Sequence, residues 1–327
     1  MMLTRRAFAL ATGTALLAGP ARGQGGYPSR PIHILVGYPP GGGVDLAARL
    51  LSDPLKTLGQ PVIVENRPGA SAMLAAQAVA TAPPDGHTLL AAAAGEIATN
   101  QFLFGDKMTY DPLRQLAPVA LIGIVPCVVV VAATTPVHTP AELIAYARAN
   151  RGKLSFSSSG IGNPQQLAGE LMNTMAGIDV LHVPYRGSAP AVTDVAVGAV
   201  TMSFASLASA LPLIQGGKLR AVAVTSRERM PQLPDVASFA ESVPEMKDYE
   251  LLNWFALFAT GGTPEPIVSR LNAVANAALR DPAIVAKLDP QGIVPRLMTP
   301  AEFTSFVHGE VKKFGEIIAR ANIKAEN

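Results

Sequence analysis

Four times along this chain a short β-branched run ends in a glycine-bearing loop, and the loop opens into sequence with helical spacing. Ile32 to Val36 leads into Tyr38-Pro39-Pro40-Gly41-Gly42-Gly43-Val44-Asp45, after which Leu46, Leu50, Leu51, Leu55 and Leu58 recur on one helical face. Val62-Ile63-Val64 leads into Glu65 to Met73, Leu154 to Ser157 into the stretch ending at Gln166, and Val180 to Val183 into Pro184 to Pro190. Strand, turn and helix in this repeating order restrict the chain to an α/β fold with mainly parallel sheets, because parallel neighbours need a crossover between them. Further strands are expected at Thr88 to Ala92, Val119 to Ile124, Val128 to Ala132, Val200 to Phe204, Leu219 to Val224 and Leu252 to Phe258.

Helix starts are well marked. Thr139-Pro140-Ala141-Glu142 and Thr299-Pro300-Ala301-Glu302 are capping boxes with proline at the first helical position, and Thr263-Pro264 opens a third helix. In the last helix Phe303, Phe306, Val307, Phe314, Ile317 and Ile318 share one face, which predicts a docked C-terminal helix. The uncharged stretch from Leu116 to Ala133 is long enough to suggest a membrane span, but Pro118, Gly123 and Pro126 interrupt it and valine dominates its second half. Two buried strands fit it better. Cys127, the only cysteine, is expected as a buried strand residue, so no intrachain disulfide can form.

The first 23 residues stand apart. Arg5 and Arg6 precede an uncharged stretch from Ala7 to Ala21 and a small-residue exit at Gly23, which reads as a cleaved export signal. Its adjacent arginines suit a twin-arginine signal or a general secretory one. The segment holds three of the 26 Lys and Arg and no acid, leaving 23 positive against 24 negative charges, a net of −1. With no run of like charge and 6% aromatic residues, nothing supports a nucleic-acid surface. Two lobes without a floppy linker are expected for a chain of this length. Residues 24–125 and 249–327 should form the first lobe and residues 126–248 the inserted second, with the chain crossing after Pro126 and returning through the stretch from Met230 to Tyr249.

The chemistry lies in the loops. Gly41, Gly42 and Gly43 free the backbone to turn inward, and the helix terminus behind them presents unpaired N–H groups to an anion. No Gly-Lys-Ser/Thr follows, so this is not a Walker loop. Asp45 is placed either to cap that helix or to contact a ligand. Ser157-Ser158-Ser159-Gly160-Ile161-Gly162-Asn163 offers hydroxyls and amides able to hold a carboxylate with neutral donors, or to cap its helix through Ser159 or Asn163. Gly160 and Gly162 also make a G-x-G, with Asp179 nineteen residues beyond Gly160, the pattern of a dinucleotide loop; Gln165 stands where its third glycine belongs. Tyr185 offers a hydroxyl on a rigid ring, while Arg67 and Arg186 can meet an anion or pair with acids at the surface.

Together, YPSRPIHILVGYPPGGGVDLAARLL, GQPVIVENRPGAS, PPDGHTLL, SFSSSGIGNPQQLAGELM, HVPYRGSAPAVTD, GGKLRAVAVTS and the region around Trp254 resemble the Bug-type extracytoplasmic receptors of the tripartite tricarboxylate transporter family. The resemblance covers essentially the whole chain after the signal. It implies a periplasmic, two-lobed binding protein of type II-like α/β architecture, each lobe a mainly parallel sheet flanked by helices. Such a receptor would close on a small carboxylate in the cleft, without a cofactor, and present it as a monomer to integral-membrane permease subunits. The site it implies comprises Tyr38, Pro40, Gly41, Gly42, Gly43, Asp45, Ser71, Ala72, Met73, Ser157, Ser158, Gly160, Ile161, Gly162, Gln166, Tyr185, Gly187, Ala205 and Ser206.

Departures from the family pattern point to the ligand. Gly69-Ala70-Ser71-Ala72-Met73 replaces a glycine-rich GAGGN stretch, Ile161 and Gln166 stand where polar Asn and His are frequent, and Ala205 stands where an acid is frequent. A carboxylate with an apolar body therefore fits better than an amino acid. The five histidines show no zinc spacing, and no G-x-S-x-G elbow or acid pair is present, so an enzyme is not expected. A sensor or scaffold using the same fold to signal occupancy to a membrane protein, and a dinucleotide-dependent oxidoreductase, are the alternative readings.

Overall fold

The computed structural model describes residues 26–324; the export signal read from the first 23 residues lies outside the described residues. Its elements in chain order are β1 (Ile32–Val36), α1 (Gly43–Leu55), β2 (Val62–Asn66), α2 (Met73–Ala80), β3 (Thr88–Ala93), α3 (Asn100–Phe104), α4 (Pro112–Gln115), β4 (Leu116–Pro126), β5 (Val128–Ala132), α5 (Pro140–Ala149), β6 (Ser155–Ser158) and α6 (Pro164–Ala176). There follow β7 (Leu181–Pro184), α7 (Ser188–Ala196), β8 (Met202–Ala205), α8 (Leu207–Gln215), β9 (Leu219–Val224), α9 (Phe239–Ser242), β10 (Leu252–Thr260), α10 (Glu265–Ala278), α11 (Pro282–Leu288), β11 (Val294–Pro295) and α12 (Pro300–Arg320). A π-helical turn, Gly95–Thr99, joins β3 to α3.

The strands form two mixed sheets, ordered β11-β4-β10-β3-β1-β2 and β7-β6-β8-β5-β9. In the first sheet β1, β2, β3 and β4 run one way, with β10 and β11 against them. In the second only β5 opposes the other four. The reversed strands β5 and β10 are the first strand after each passage between the sheets, and entering from the opposite side turns them round. The uncharged stretch before Ala133 is indeed two buried strands, separated by Cys127 alone. There the Cys127 amide donates to the Thr225 hydroxyl (2.8 Å) and the Thr225 amide to the Cys127 carbonyl (3.0 Å), while the Leu251 amide donates to the Thr225 carbonyl (3.0 Å). The outward and return passages are thus stitched side by side. Burial pushes the Cys127 thiol up to about 12, so it stays protonated.

Helix starts follow the sequence signals. The Thr299 hydroxyl accepts from the Glu302 amide and the Glu302 carboxylate from the Thr299 amide, a complete capping box, whereas Glu142 reaches past Thr139 to the His138 amide. The apolar face of α12 buries Phe303, Val307 and Phe314 against β4, the π-turn and α6 of the other sheet. Full burial of a side chain of that size contributes about 1.5–3 kcal/mol. Trp254 packs edge-on to Phe303 and Phe306, and its indole N–H donates to Glu310 (3.2 Å).

Candidate functional site

Because β1, β2 and β3 are parallel, the segments that leave their carboxyl ends emerge along one edge; β6, β7 and β8 do the same in the second sheet. In the first sheet the loops touch. A Cβ on Gly37 would lie 2.5 Å from the Ala72 Cβ and 2.8 Å from its Cα, so the approach of Tyr38–Gly43 to Ala70–Ala72 is possible only with glycine at 37. Ala70, Ser71 and Ala72 all have left-handed backbones, with φ of 46°, 52° and 68°. Ser71 is exposed and Ala72 and Met73 are buried, with Met73 opening α2.

Asp45 neither caps α1 nor points outward. Its carboxylate accepts from the Gly41 amide (2.9 Å), Arg49 Nε (3.0 Å) and Asn66 Nδ2 (2.8 Å), and Asn66 Nδ2 also donates to the Tyr38 carbonyl (3.1 Å). Burial pushes this acid up, but those hydrogen bonds outweigh it and hold Asp45 below the usual carboxylate range. The network clamps the turn so that Pro40, Gly41 and Gly42 stand exposed at its tip and Gly43 lies half-buried behind them. Helix amides of the first turn have no carbonyl behind them, and here they end at that tip. Tyr38 is fixed at its other end, where its hydroxyl donates to Glu96 Oε2 (2.7 Å).

In the second sheet the serine-glycine loop is laced to its own helix. Of the two possible caps Asn163 serves: its Oδ1 accepts from the Gln165 and Gln166 amides, while its Nδ2 donates to the Ser159 hydroxyl. Gln165 Oε1 accepts from the Ser159 amide and Gln166 Oε1 from the Gly162 amide, both at 2.7 Å. Ser157 and Ser158 are fully buried. The Ser158 hydroxyl lies 2.9 Å from the Gly160 carbonyl and 2.7 Å from His182 Nε2. A hydroxyl has one proton; donating it to Gly160 makes the His182 Nε2–H the other donor. Burial pushes His182 down to about 4, so the ring is neutral. Gly160 and Ile161 remain half-exposed.

The neighbouring loops close around this one. The Gly187 amide donates to the Ser159 carbonyl (3.2 Å), and the Ser206 amide to the Ser188 hydroxyl (3.2 Å). Half-exposed Tyr185 donates its hydroxyl to Asp194 (2.5 Å), which pushes the phenol up to about 12. Ala205 is fully buried within β8, opposite Val128. Arg186 is exposed, and Arg67 pairs with Glu65 at 2.9 Å.

The two edges face each other through a segment that sequence reasoning missed, the π-turn and the start of α3. The Thr99 hydroxyl lies 2.7 Å from the Gly162 carbonyl and 2.9 Å from that of Gly95, and Asn100 Nδ2 donates to the Ser71 carbonyl (3.0 Å). One turn of the first sheet therefore touches both its own loop and the loop of the second. Gly95-Glu96 after a strand repeats the pattern of the other four loops and was the available signal. Elsewhere, a cavity of about 310 Å3 runs along α6 and β7, lined by Gln166, Glu170, Asp179, His182 and Lys324 among others. None of the exposed loop tips contributes to its wall. Among the described residues no cluster of three or more His, Cys, Asp or Glu could hold a metal, and no helix is long and apolar enough to cross a membrane.

Two mixed α/β sheets joined by paired crossing strands, with strand-end loops facing across the junction, are the two-lobed architecture of solute-binding proteins. Residues 47–323 match the model of the Tripartite tricarboxylate transporter family receptor, and the chain belongs to that family of receptors. Among solved structures it is similar to Rpa4515 of R. palustris, solved with adipate (34% identity, 91% of this chain and 100% of that one, TM-score 0.82). It is also similar to the periplasmic binding protein BugD (31% identity, 91% and 100%, TM-score 0.78). A third is MatC of Rhodopseudomonas palustris with bound malate (31% identity, 89% and 100%, TM-score 0.77).

Proposed function

We propose that this receptor captures a small carboxylate between its lobes and delivers it to the integral-membrane permease of a tripartite transporter. The observation that carries this reading is the meeting of the Ser71 and Gly162 loops through Asn100 and Thr99, which brings glycine turns and helix starts of both sheets to one place. Neighbours with adipate and malate bound support a carboxylate as the ligand. The lobes divide at residues 126 and 249, where the paired passages at Cys127, Thr225 and Leu251 act as the hinge; sheet membership supports this division.

Within the cleft, Tyr38, Pro40, Gly41, Gly42, Gly43, Ser71, Gly160, Ile161, Tyr185, Gly187 and Ser206 form the surface offered to ligand, whereas Gly162 is buried with its amide on Gln166 and its carbonyl on Thr99. Asp45, Ala72, Met73, Ser157, Ser158, Gln166 and Ala205 hold that surface in place from behind. The carboxylate is held by backbone amides, and its body rests on apolar side chains such as Ile161. A ligand that touches both lobes gains its contacts only when they close.

Thermal denaturation with adipate, malate, glutamate and NAD in parallel tests the reading. A ligand at about 100 times its Kd stabilises the native state by roughly 2.7 kcal/mol. Adipate or malate should raise the melting temperature by several degrees, and Gly42→Val should abolish the shift without unfolding the protein. Stabilisation by glutamate alone would defeat the apolar-bodied ligand, and stabilisation by NAD alone would restore the oxidoreductase alternative.

A further inference from the structure

The described residues contain one fully buried carboxylate that the binding reading leaves unused. Glu96 sits in the π-helical turn between β3 and α3 with no surface exposed to solvent. Its Oε2 accepts the Tyr38 hydroxyl (2.7 Å) and its Oε1 the Ala93 amide (2.9 Å), while the Tyr110 hydroxyl donates to the Glu96 carbonyl (2.6 Å). Through Tyr38 it reaches the ligand loop. Tyr38 is pinned between Glu96 at its phenol and Asn66 at its carbonyl, and the same Asn66 amide holds Asp45, which holds Gly41.

The charges around Glu96 do not neutralise it. The titratable groups facing it are the phenols of Tyr38 and Tyr110, both pushed upward chiefly by burial and so neutral. On α12, which packs on this turn, the inward ionisable side chain is Glu310, itself bound to Lys313 (2.6 Å) and the Trp254 indole. Neither α3 nor β3 carries an ionisable residue, and Arg114 on α4 is exposed. Burial pushes Glu96 up to about 7 against the hydrogen bonds from Tyr38, the Ala93 amide and its own amide. An ionised Glu96 would place a second negative charge behind the loop that receives an anion.

We propose that Glu96 is a positioning residue that makes carboxylate capture proton-coupled: the Gly41–Gly43 loop accepts an anionic ligand in step with proton uptake at Glu96. The inference rests on the carboxylate reading above. Two unit charges roughly 10 Å apart at an effective dielectric of about 20 repel enough to shift an equilibrium on the order of tenfold. Linkage is reciprocal, so bound carboxylate raises the proton affinity of Glu96, and affinity for ligand is highest where Glu96 is protonated and falls as pH rises through its titration. An isosteric amide at this position would keep the Tyr38 contact without the charge.

Isothermal titration of adipate and of malate from pH 5.5 to 8.5, each in two buffers of different ionisation enthalpy, provides the test. The wild-type Kd should weaken roughly tenfold from the acid to the alkaline end, with net proton uptake near neutrality, and Glu96→Gln should keep the acid-limb Kd while flattening the profile. A flat wild-type profile without proton uptake overturns the inference whether or not the variant folds. So does a Glu96→Gln protein that keeps the wild-type slope, or one weakened equally at every pH, which would make the role structural only. Absence of binding by both acids across the whole range would instead defeat the carboxylate reading itself.

Discussion

Three consecutive left-handed residues without glycine, Ala70, Ser71 and Ala72, make a measurable claim about the ligand loop. For an L-residue this region costs roughly 1–2 kcal/mol, because Cβ crowds the following carbonyl. Glycine removes that cost but brings a more flexible unfolded chain, which offsets about 0.4–1 kcal/mol. Ala70 and Ser71 are exposed, so replacing them forfeits no packing. Ala70→Gly and Ser71→Gly should therefore each stabilise the protein by about 0.5–1 kcal/mol. At roughly 2–4 °C per kcal/mol for a chain of this order, each raises Tm by about 1–4 °C in differential scanning calorimetry. Ala72 has the same backbone but a methyl buried against Gly37. Losing one such group costs about 0.8 kcal/mol, so Ala72→Gly should be close to neutral. Gly41, with φ of 85° and open space where a Cβ would sit, gives the converse. Gly41→Ala should lose about 1 kcal/mol through backbone strain alone. If both glycine substitutions at 70 and 71 lower Tm while Gly41→Ala behaves as stated, the left-handed turn is not the source of strain and the argument fails.

The contact between Thr99 and Gly162 spans the two sheets, so Thr99→Val, which keeps shape and removes the donor, should shift the lobes toward an open state; small-angle scattering should record a larger radius of gyration without ligand, and an unchanged curve would mean that other contacts set closure. His182 is pushed down to about 4, so the native state binds fewer protons than the unfolded chain between pH 4 and 6.5; its contribution is present above about 6.5 and lost as pH falls through the window, and His182→Gln should reduce that slope in urea melts. Glu96 has the opposite sign: the native state keeps a proton that the unfolded chain has lost between pH 4.5 and 7, so stability falls with rising pH there by on the order of 3 kcal/mol, and Glu96→Gln should remove the fall.

Periodicity and punctuation in the sequence determined much of this protein. Ile32–Val36, Val128–Ala132 and Leu219–Val224 are strands with the bounds that their β-branched runs mark, since each run is cut off by turn or polar residues on both sides. The capped starts at Thr139 and Thr299 and the apolar face of α12 were equally legible, because a cap and a 3.6-residue stripe are local properties. The four glycine loops could be picked out for the same reason: strand, turn and helix are neighbours along the chain.

What the sequence by itself left open was decided by contacts between residues far apart in it. Asp45 offered a cap or a ligand contact; its partners Asn66 and Arg49 made it a clamp on the Gly41 turn. Ser158 looked like a free donor, but its proton goes to the Gly160 carbonyl, and His182, 24 residues away, donates to its oxygen. Ala205 stood where an acid is frequent, yet the pairing of β8 with β5 buries it completely. The π-turn at Gly95–Thr99 had no periodic signature, being five residues long and polar at Glu96 and Thr99 inside an otherwise alanine-rich strand end. Its part in joining the sheets arises only when Thr99 meets Gly162 across 63 positions of chain. Hydrogen-bond partners and burial are properties of the packed molecule, so which polar groups are spent internally and which face the cleft could be read only from the tertiary structure.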